Sequence, residues 1–262
     1  MDWEQYKAVL MNNRNTYEMI SEFAKQYMPN KLYKYGSLKS NYWENVIFNG
    51  ETYFTMAKDF NDPFDCRPHF NMEKMLKSLK VRDKLGINSK LTKEEKIAVD
   101  YDSVREIFDG MQEEFKVFCF SEVWDSILMW SHYADSHSGY CVEYNVNTMS
   151  NLKKNILYPV IYSSNRTEIT DDIINGSNNC GLISLVEKSD AWKYEKEWRL
   201  IKPANKIEKL YFREEIKSII LGNRCSKKDL EKVCAWAKEN KKNVYQIELD
   251  PKEYKLVKNK II

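Results

Sequence analysis

Along the first thirty residues apolar positions recur at helical spacing. Trp3, Tyr6, Leu10, Tyr17, Ile20 and Phe23 predict one or two amphipathic helices over Trp3 to Tyr27, closed by Pro29. The period then shortens. Lys31 to Tyr35 alternates as a strand does, Ser37 is placed to cap a helix running to Phe48 with Gly50 just beyond, and Thr52 to Thr55 reads as a second strand. Pro63 turns Asp62 away from helix, so Asn61-Asp62-Pro63 is a loop.

Further along, helices are expected at Met72 to Lys80 and Thr92 to Glu114, with a charged insertion over Val81 to Lys90 between them. Lys116 to Phe120 is a strand and Asp125 to Tyr133 a short helix with Asp125 near its start. Gly139 to Tyr144 and Ile156 to Tyr162 are β-rich. Ile169 to Asn179 reads as loop and Gly181 to Lys188 as helix. Glu197 to Ile201 and Ile216 to Leu221 are strands, Ser226 caps a helix to Glu239, and Asn243 to Leu249 is a last strand. This mixture predicts an α+β fold: a single domain of mixed, mostly antiparallel strands with interspersed helices. Residues 1–30 form its N-terminal helical segment, 31–262 the α+β body, and 81–115 a helical insertion.

At 262 residues the chain is long enough to bury a substantial core. Its 41 basic and 39 acidic groups leave a net charge of +2, so no global field recruits nucleic acid or an anionic membrane. None of the six cysteines forms a CxxC pair, which speaks against a structural zinc knuckle and for free thiols. The charged stretch Met1 to Gln26 has no signal-peptide apolar core, and no apolar run reaches transmembrane length. The expected location is the cytoplasm, with no membrane partner. The glycosylation patterns at Asn165 and Asn175 then carry no meaning.

Chemistry concentrates in four clusters that mix ionisable groups with large aromatics. They are Leu32-Tyr33-Lys34-Tyr35, Asp59 to Asp65, Met129 to Asp135 and Glu195 to Arg199. Burying such groups without partners costs about 2–7 kcal/mol each, so their company predicts one shared site. Asn61, Asp62 and Asp65 sit on a loop, where they either orient a ligand or fold the turn onto its own backbone. His132 is one of three histidines and a candidate acid or base. On the expected strand Glu195, Glu197 and Arg199 share a face, with Trp192, Tyr194 and Trp198 nearby. Desolvation there is expected to raise the Glu197 pKa and suit it to acid–base work. No glycine-rich phosphate loop and no GxSxG elbow occurs among the eight glycines.

At the same clusters, together with Tyr53-Phe54, Cys119 to Glu122, Gly139 and Trp192, the chain resembles a mostly bacterial family, the domain of unknown function numbered 2971. The resemblance spans residues 31 to about 201. It implies an accessory or defence-island protein, phage defence included, and leaves the reaction open. A second, fainter resemblance is to ADP-ribosyltransferase toxins: Tyr33 or Lys34 on an early strand, Tyr53-Phe54-Thr55 on a second strand, and Glu197 on a late one. The glycine that usually follows the first motif is missing, and the second strand lacks the Ser-Thr-Ser form. That resemblance implies a transferase that uses NAD or another nucleotide and acts on a macromolecular target. Glu197, His132 and Tyr33 would be catalytic. Lys34, Tyr35, Tyr53, Asn61, Asp62, Asp65, Trp130, Tyr133, Glu195 and Arg199 would bind the ligand. Tyr33, Tyr53 and Trp130 would stack on rings, Arg199 or Lys34 would meet phosphates, and Glu197 would hold a ribose hydroxyl. Two alternatives stay open: a metal-dependent hydrolase or nuclease using Asp62, Asp65, His132 and Glu143, and a non-catalytic module for a small molecule or peptide.

Overall fold

The computed structural model describes residues 1–12, 14–78, 106, 110, 112–153, 156–177, 180–204 and 210–262. The insertion expected over 81–115, the helix expected over Thr92 to Glu114 and the segment Val81 to Lys90 lie almost wholly outside them.

The centre of this α+β domain is a nine-stranded mixed sheet. Its main path runs from β13 (Leu256–Lys260) through β12 (Asn243–Leu249), β11 (Ile216–Leu221), β5 (Tyr140–Asn145), β1 (Lys31–Gly36), β4 (Phe115–Ser121) and β9 (Glu197–Pro203) to β6 (Leu157–Pro159). Pairing along this path is antiparallel except between β11 and β12. Those two are joined by α8 (Lys227–Glu239), capped by Ser226 as its sequence predicts. A parallel pair needs such a crossover, whereas an antiparallel pair closes with a tight turn.

The main core lies on one face of the sheet. It joins Leu32, Phe118, Phe120, Trp198 and Leu200 to Val233 and Ala237 of α8 and to Phe212 of β10 (Tyr211–Arg213), which pairs with β2 (Glu51–Tyr53). The amphipathic helices α1 (Trp3–Met11) and α2 (Tyr17–Lys25) bury Tyr6, Leu10, Ile20 and Ala24 in a second cluster. There they meet Tyr158, Ile161 and Ile183.

Several local expectations change. The helix expected from Ser37 to Phe48 is only α3 (Trp43–Asn49). Ser37 and Ser40 accept hydrogen bonds from the Lys39 and Tyr42 amides, and these local turns compete with helix. The loop expected over Ile169 to Asn179 contains α6 (Thr170–Asn175), with Asp171 and Asp172 in its favourable first turn. It is stopped by Gly176 at φ +73°, a conformation that only glycine adopts freely. The helix expected from Asp125 begins two residues later as α5 (Ile127–Tyr133), capped by Ser126. The helix expected to reach Lys188 ends as α7 (Cys180–Val186), and Glu187–Ser189 becomes the short strand β8, parallel to β7 (Ile161–Ser163). β13 had no counterpart in the sequence reading. It is a sheet edge rich in lysine, and its pattern is too polar to signal a strand.

Candidate functional site

Strands β1 and β4 are hydrogen-bonded neighbours at one register pair only, Tyr33 opposite Ser121. Beyond it they part. The far end of β4 takes a different neighbour on the same edge, β3 (Thr55–Met56), through Thr55 opposite Val117. The sheet is therefore split, and a cleft of about 410 Å³ opens at the split. That volume is in the range of small-molecule sites.

Each cluster reaches the cleft from a different element. β1 contributes Tyr33, Lys34 and Tyr35, and β4 contributes Cys119, Phe120 and Ser121. The loop after β3 contributes Asp59, Phe60, Asn61 and Asp65, and α5 contributes Met129, His132 and Tyr133. Lys188, Glu195 and Glu197 complete the lining. Glu195 ends a 3-10 helix (Asp190–Glu195), and Lys196 follows in the left-handed region at φ +43°. Glu195 is thus not on the strand with Glu197, as the sequence suggested. The backbone reverses at Lys196, and both carboxyl groups reach the same cleft.

Beneath the cleft lies a charge cluster almost free of solvent. Arg199, 0% exposed, grips Asp65 with two prongs, Nη1 to Oδ1 at 2.9 Å and Nη2 to Oδ2 at 2.7 Å. It also donates from Nε and Nη2 to the two oxygens of Glu197, at 2.9 and 3.0 Å, and from Nη1 to the Leu185 carbonyl. Every edge of the guanidinium is thereby engaged. Arg199 does not line the cleft, so the expectation that it meets a ligand phosphate is replaced by a structural role. Lys188 lies among three carboxylates, 2.6 Å from Glu195 Oε2 and 3.3 Å from both Glu197 Oε2 and Asp65 Oδ2. It occupies the place a metal cation would need. Among the described residues no group of three or more His, Cys, Asp or Glu is disposed to hold a metal.

These contacts push the two glutamates in opposite directions. Burial alone would raise Glu197, but the charges of Arg199 and Lys188 and the hydrogen bonds from Arg199 and Cys119 outweigh it. They hold its carboxyl well below the ordinary glutamate range. The expectation that its pKa is raised is thus reversed. Glu195 is raised instead, first by burial and then by the Glu197 charge, with Lys188 only partly offsetting them. Tyr133 Oη donates to Glu195 Oε1 at 2.6 Å, so both Glu195 oxygens have donors. Burial and the adjacent Glu195 charge raise the Tyr133 phenol, which keeps it a donor at neutral pH. The Glu197 amide donates to Tyr162 Oη at 2.8 Å, and Ser121 Oγ to the Glu195 carbonyl at 2.6 Å, fixing the backbone around both carboxylates.

Several other candidates lie apart from the cleft lining. Tyr53 is 46% exposed and packs edge-on against Tyr42. Trp130 is 0% exposed, donates to the Trp124 carbonyl and meets Tyr35 edge-to-face, so it is core under the wall. Asp62 folds its own turn by accepting from the Phe64 amide at 2.9 Å. Glu143 pairs with Lys31 at 3.0 Å and accepts from Tyr33 Oη. Asp62 and Glu143 therefore do not join Asp65 and His132 in a ligand set. Free thiols are found at Cys66, Cys119, Cys141, Cys225 and Cys234.

Lys188 is the residue that sequence reasoning missed. It sits at the end of a segment with helical periodicity, and nothing in its neighbours distinguishes it from a surface lysine.

The comparisons bear on the same segment. Residues 129–200 match a family described as a protein of unknown function, DUF2971. The resemblance is real and compact: the matched span runs from α5 to Leu200 in β9 and includes His132, Tyr133, Lys188, Glu195, Glu197 and Arg199. The stretches Leu32 to Tyr35 and Asp59 to Asp65, where the sequence suggests further resemblance, lie outside the matched span and meet it in space, at the cleft. No curated protein and no solved structure matches the chain. None of the described helices is long and apolar enough to cross a membrane.

Proposed function

We propose that the split-sheet cleft binds a nucleotide-like ligand, NAD being the candidate, and that the protein is a glycosyl or ADP-ribosyl transferase. The observation that carries this reading is the pair Glu195 and Glu197: two buried carboxyl groups on one cleft, bridged by Lys188, with surroundings that shift their pKa values in opposite directions. Two carboxyl groups with separated protonation states are what acid–base and charge-stabilising chemistry at one centre requires.

The other cleft groups fit such a ligand. Lys34 stands in the split between β1 and β4, its ammonium 4.8 Å from the Phe118 ring centre, and makes no ion pair among the described residues. It is a cation available to a phosphate, whereas Lys188 is committed to carboxylates. Tyr33, Tyr35, Phe60 and Tyr133 offer ring surface. In NAD the pyridinium–ribose bond is an activated glycosidic bond: its cleavage releases nicotinamide, and a hydroxyl of the acceptor or of water bonds to the ribosyl carbon and gives up its proton. Glu197, held ionised, supplies fixed negative charge where positive charge develops, and this electrostatic preorganisation is the largest single contribution in many enzymes. Glu195, with Tyr133 at its other oxygen, is placed to hold or return a proton.

The test is direct. Wild type and the Glu197→Gln variant are incubated with NAD and, separately, with ATP, and released base is measured by chromatography, alongside calorimetric binding. Binding by both proteins with base release only by wild type is expected. No binding of either nucleotide at millimolar concentration would remove the reading.

A further inference from the structure

A second cavity, of about 230 Å³, lies against Lys188, which lines the cleft as well. We propose that this cavity is an anion site for a single phosphate group, supplied by inorganic phosphate or by a small phosphomonoester. The inference stands whether or not the cleft takes a nucleotide.

Size is the first argument. The cavity falls below the range of about 300–1,000 Å³ that holds drug-sized ligands, so it suits a small group. Charge is the second. Arg67, Arg166 and Lys188 line it, against one carboxylate, Glu187. Glu187 is already engaged: its Oε1 takes the Lys7 ammonium at 3.1 Å and the Thr167 hydroxyl, and its Oε2 takes the Thr167 amide at 2.7 Å. Lys188 is itself committed to three carboxylates, so the burden falls on Arg166.

Arg166 is the central group. Its Nη2 donates to the carbonyls of Arg67 and Pro68 at 2.7 and 2.8 Å, which fixes the guanidinium plane. Its Nε and Nη1 have no acceptor, and the side chain no ion pair, among the described residues. Partial desolvation lowers its pKa, the nearby Glu187 charge works against that, and the like charge of Arg67 adds to it. An arginine held rigidly near another arginine, with two N–H edges open, is the donor fork that a phosphate satisfies. Ser184 adds a hydroxyl. It is 9% exposed on this wall.

Phosphate and ribose 5-phosphate are titrated calorimetrically at fixed ionic strength, against wild type, Arg166→Gln, Ser184→Ala and Lys34→Gln. Both probes should bind wild type, at least tenfold more weakly to Arg166→Gln and more weakly to Ser184→Ala, whereas Lys34→Gln should retain this site and lose only anion bound in the cleft. Binding of inorganic phosphate alone would identify the free ion as the ligand and still support the site. Should Arg166→Gln fail to fold, Ser184→Ala decides. Absence of binding by wild type at ten millimolar overturns the proposal. So does binding that survives both the Arg166 and Ser184 changes, or that is lost only in Lys34→Gln, which would place the anion in the cleft.

Discussion

Arg199 and Asp65 are 134 residues apart in the chain and form a two-pronged ion pair with no access to water, 2.9 and 2.7 Å across its prongs. The pair ties the loop after β3 to β9. It therefore decides where Asp59, Phe60 and Asn61 stand on the wall of the cleft. A buried pair of this kind gains little over an apolar replacement, but losing one partner strands the other.

Arg199→Ala leaves Asp65 and Glu197 buried with Lys188 as their remaining cation. A loss of about 3–5 kcal/mol is expected. Arg199→Lys should recover only part of it, because an ammonium cannot supply the fork. Urea midpoints of the three proteins check this. A variant as stable as wild type would show that the pair is dispensable.

The two glutamates predict opposite pH signatures. Glu197 is lowered in the folded state, so its stabilising contribution is present above the ordinary glutamate value of about 4.3 and is lost as pH falls below it. Glu195 is raised, so its contribution is present below that value and is lost as pH rises through its folded value. Relative to wild type, Glu195→Gln should gain stability as pH rises above the ordinary glutamate value. The disadvantage of Glu197→Gln should shrink below pH 4. Chemical denaturation as a function of pH measures both slopes. Parallel curves for the two variants would contradict the assignment.

Glu197→Gln tests chemistry and packing together. A solvated strand face would tolerate the change, but Glu197 is 6% exposed and receives Arg199 and Lys188. The variant should lose stability measurably while remaining folded, and should lose about 10²–10⁴ in any turnover. Circular dichroism at the assay temperature separates lost chemistry from lost fold.

Lys34→Gln removes a cleft cation that holds no carboxylate among the described residues. Its unfolding midpoint should stay within about 0.5 kcal/mol of wild type, as for substitutions away from buried networks. Its affinity for NAD should drop about tenfold or more, through loss of a charge-assisted contact worth about 1.5–3 kcal/mol. Equal affinity for the two proteins would remove Lys34 from the ligand contacts.

Gly222 meets the backbone of His137 so closely that an added Cβ would overlap the His137 carbonyl, and its amide donates to Gly139 at 2.9 Å. Backbone cannot give way as a flexible side chain does. Gly222→Ala should cost about 1–3 kcal/mol. A neutral result in thermal melting would show that the turn after Ala134 yields.

Periodicity alone determined most of the elements. Leu32 and the pair Tyr33 and Tyr35 alternate because the two faces of β1 pack into different clusters, one aliphatic and aromatic, the other beside the cleft. Ser226 and the apolar positions of α8 announce a helix because helix spacing and capping are local. The sequence also singled out Tyr33, Asp65, His132, Tyr133, Glu195 and Glu197, because polar groups among aromatics are costly unless they share partners. Tertiary structure decided the rest. Tyr53 and Trp130 have the composition of ligand contacts, yet one faces solvent and the other fills the core, since strand register and helix rotation are set by neighbours distant in sequence. Lys188 carries no local mark, and its role exists only where β8 brings it among three carboxylates. The opposite shifts of Glu195 and Glu197 follow from that placement: burial raises both, and only Glu197 also receives the Arg199 guanidinium, a relation that only the folded chain defines.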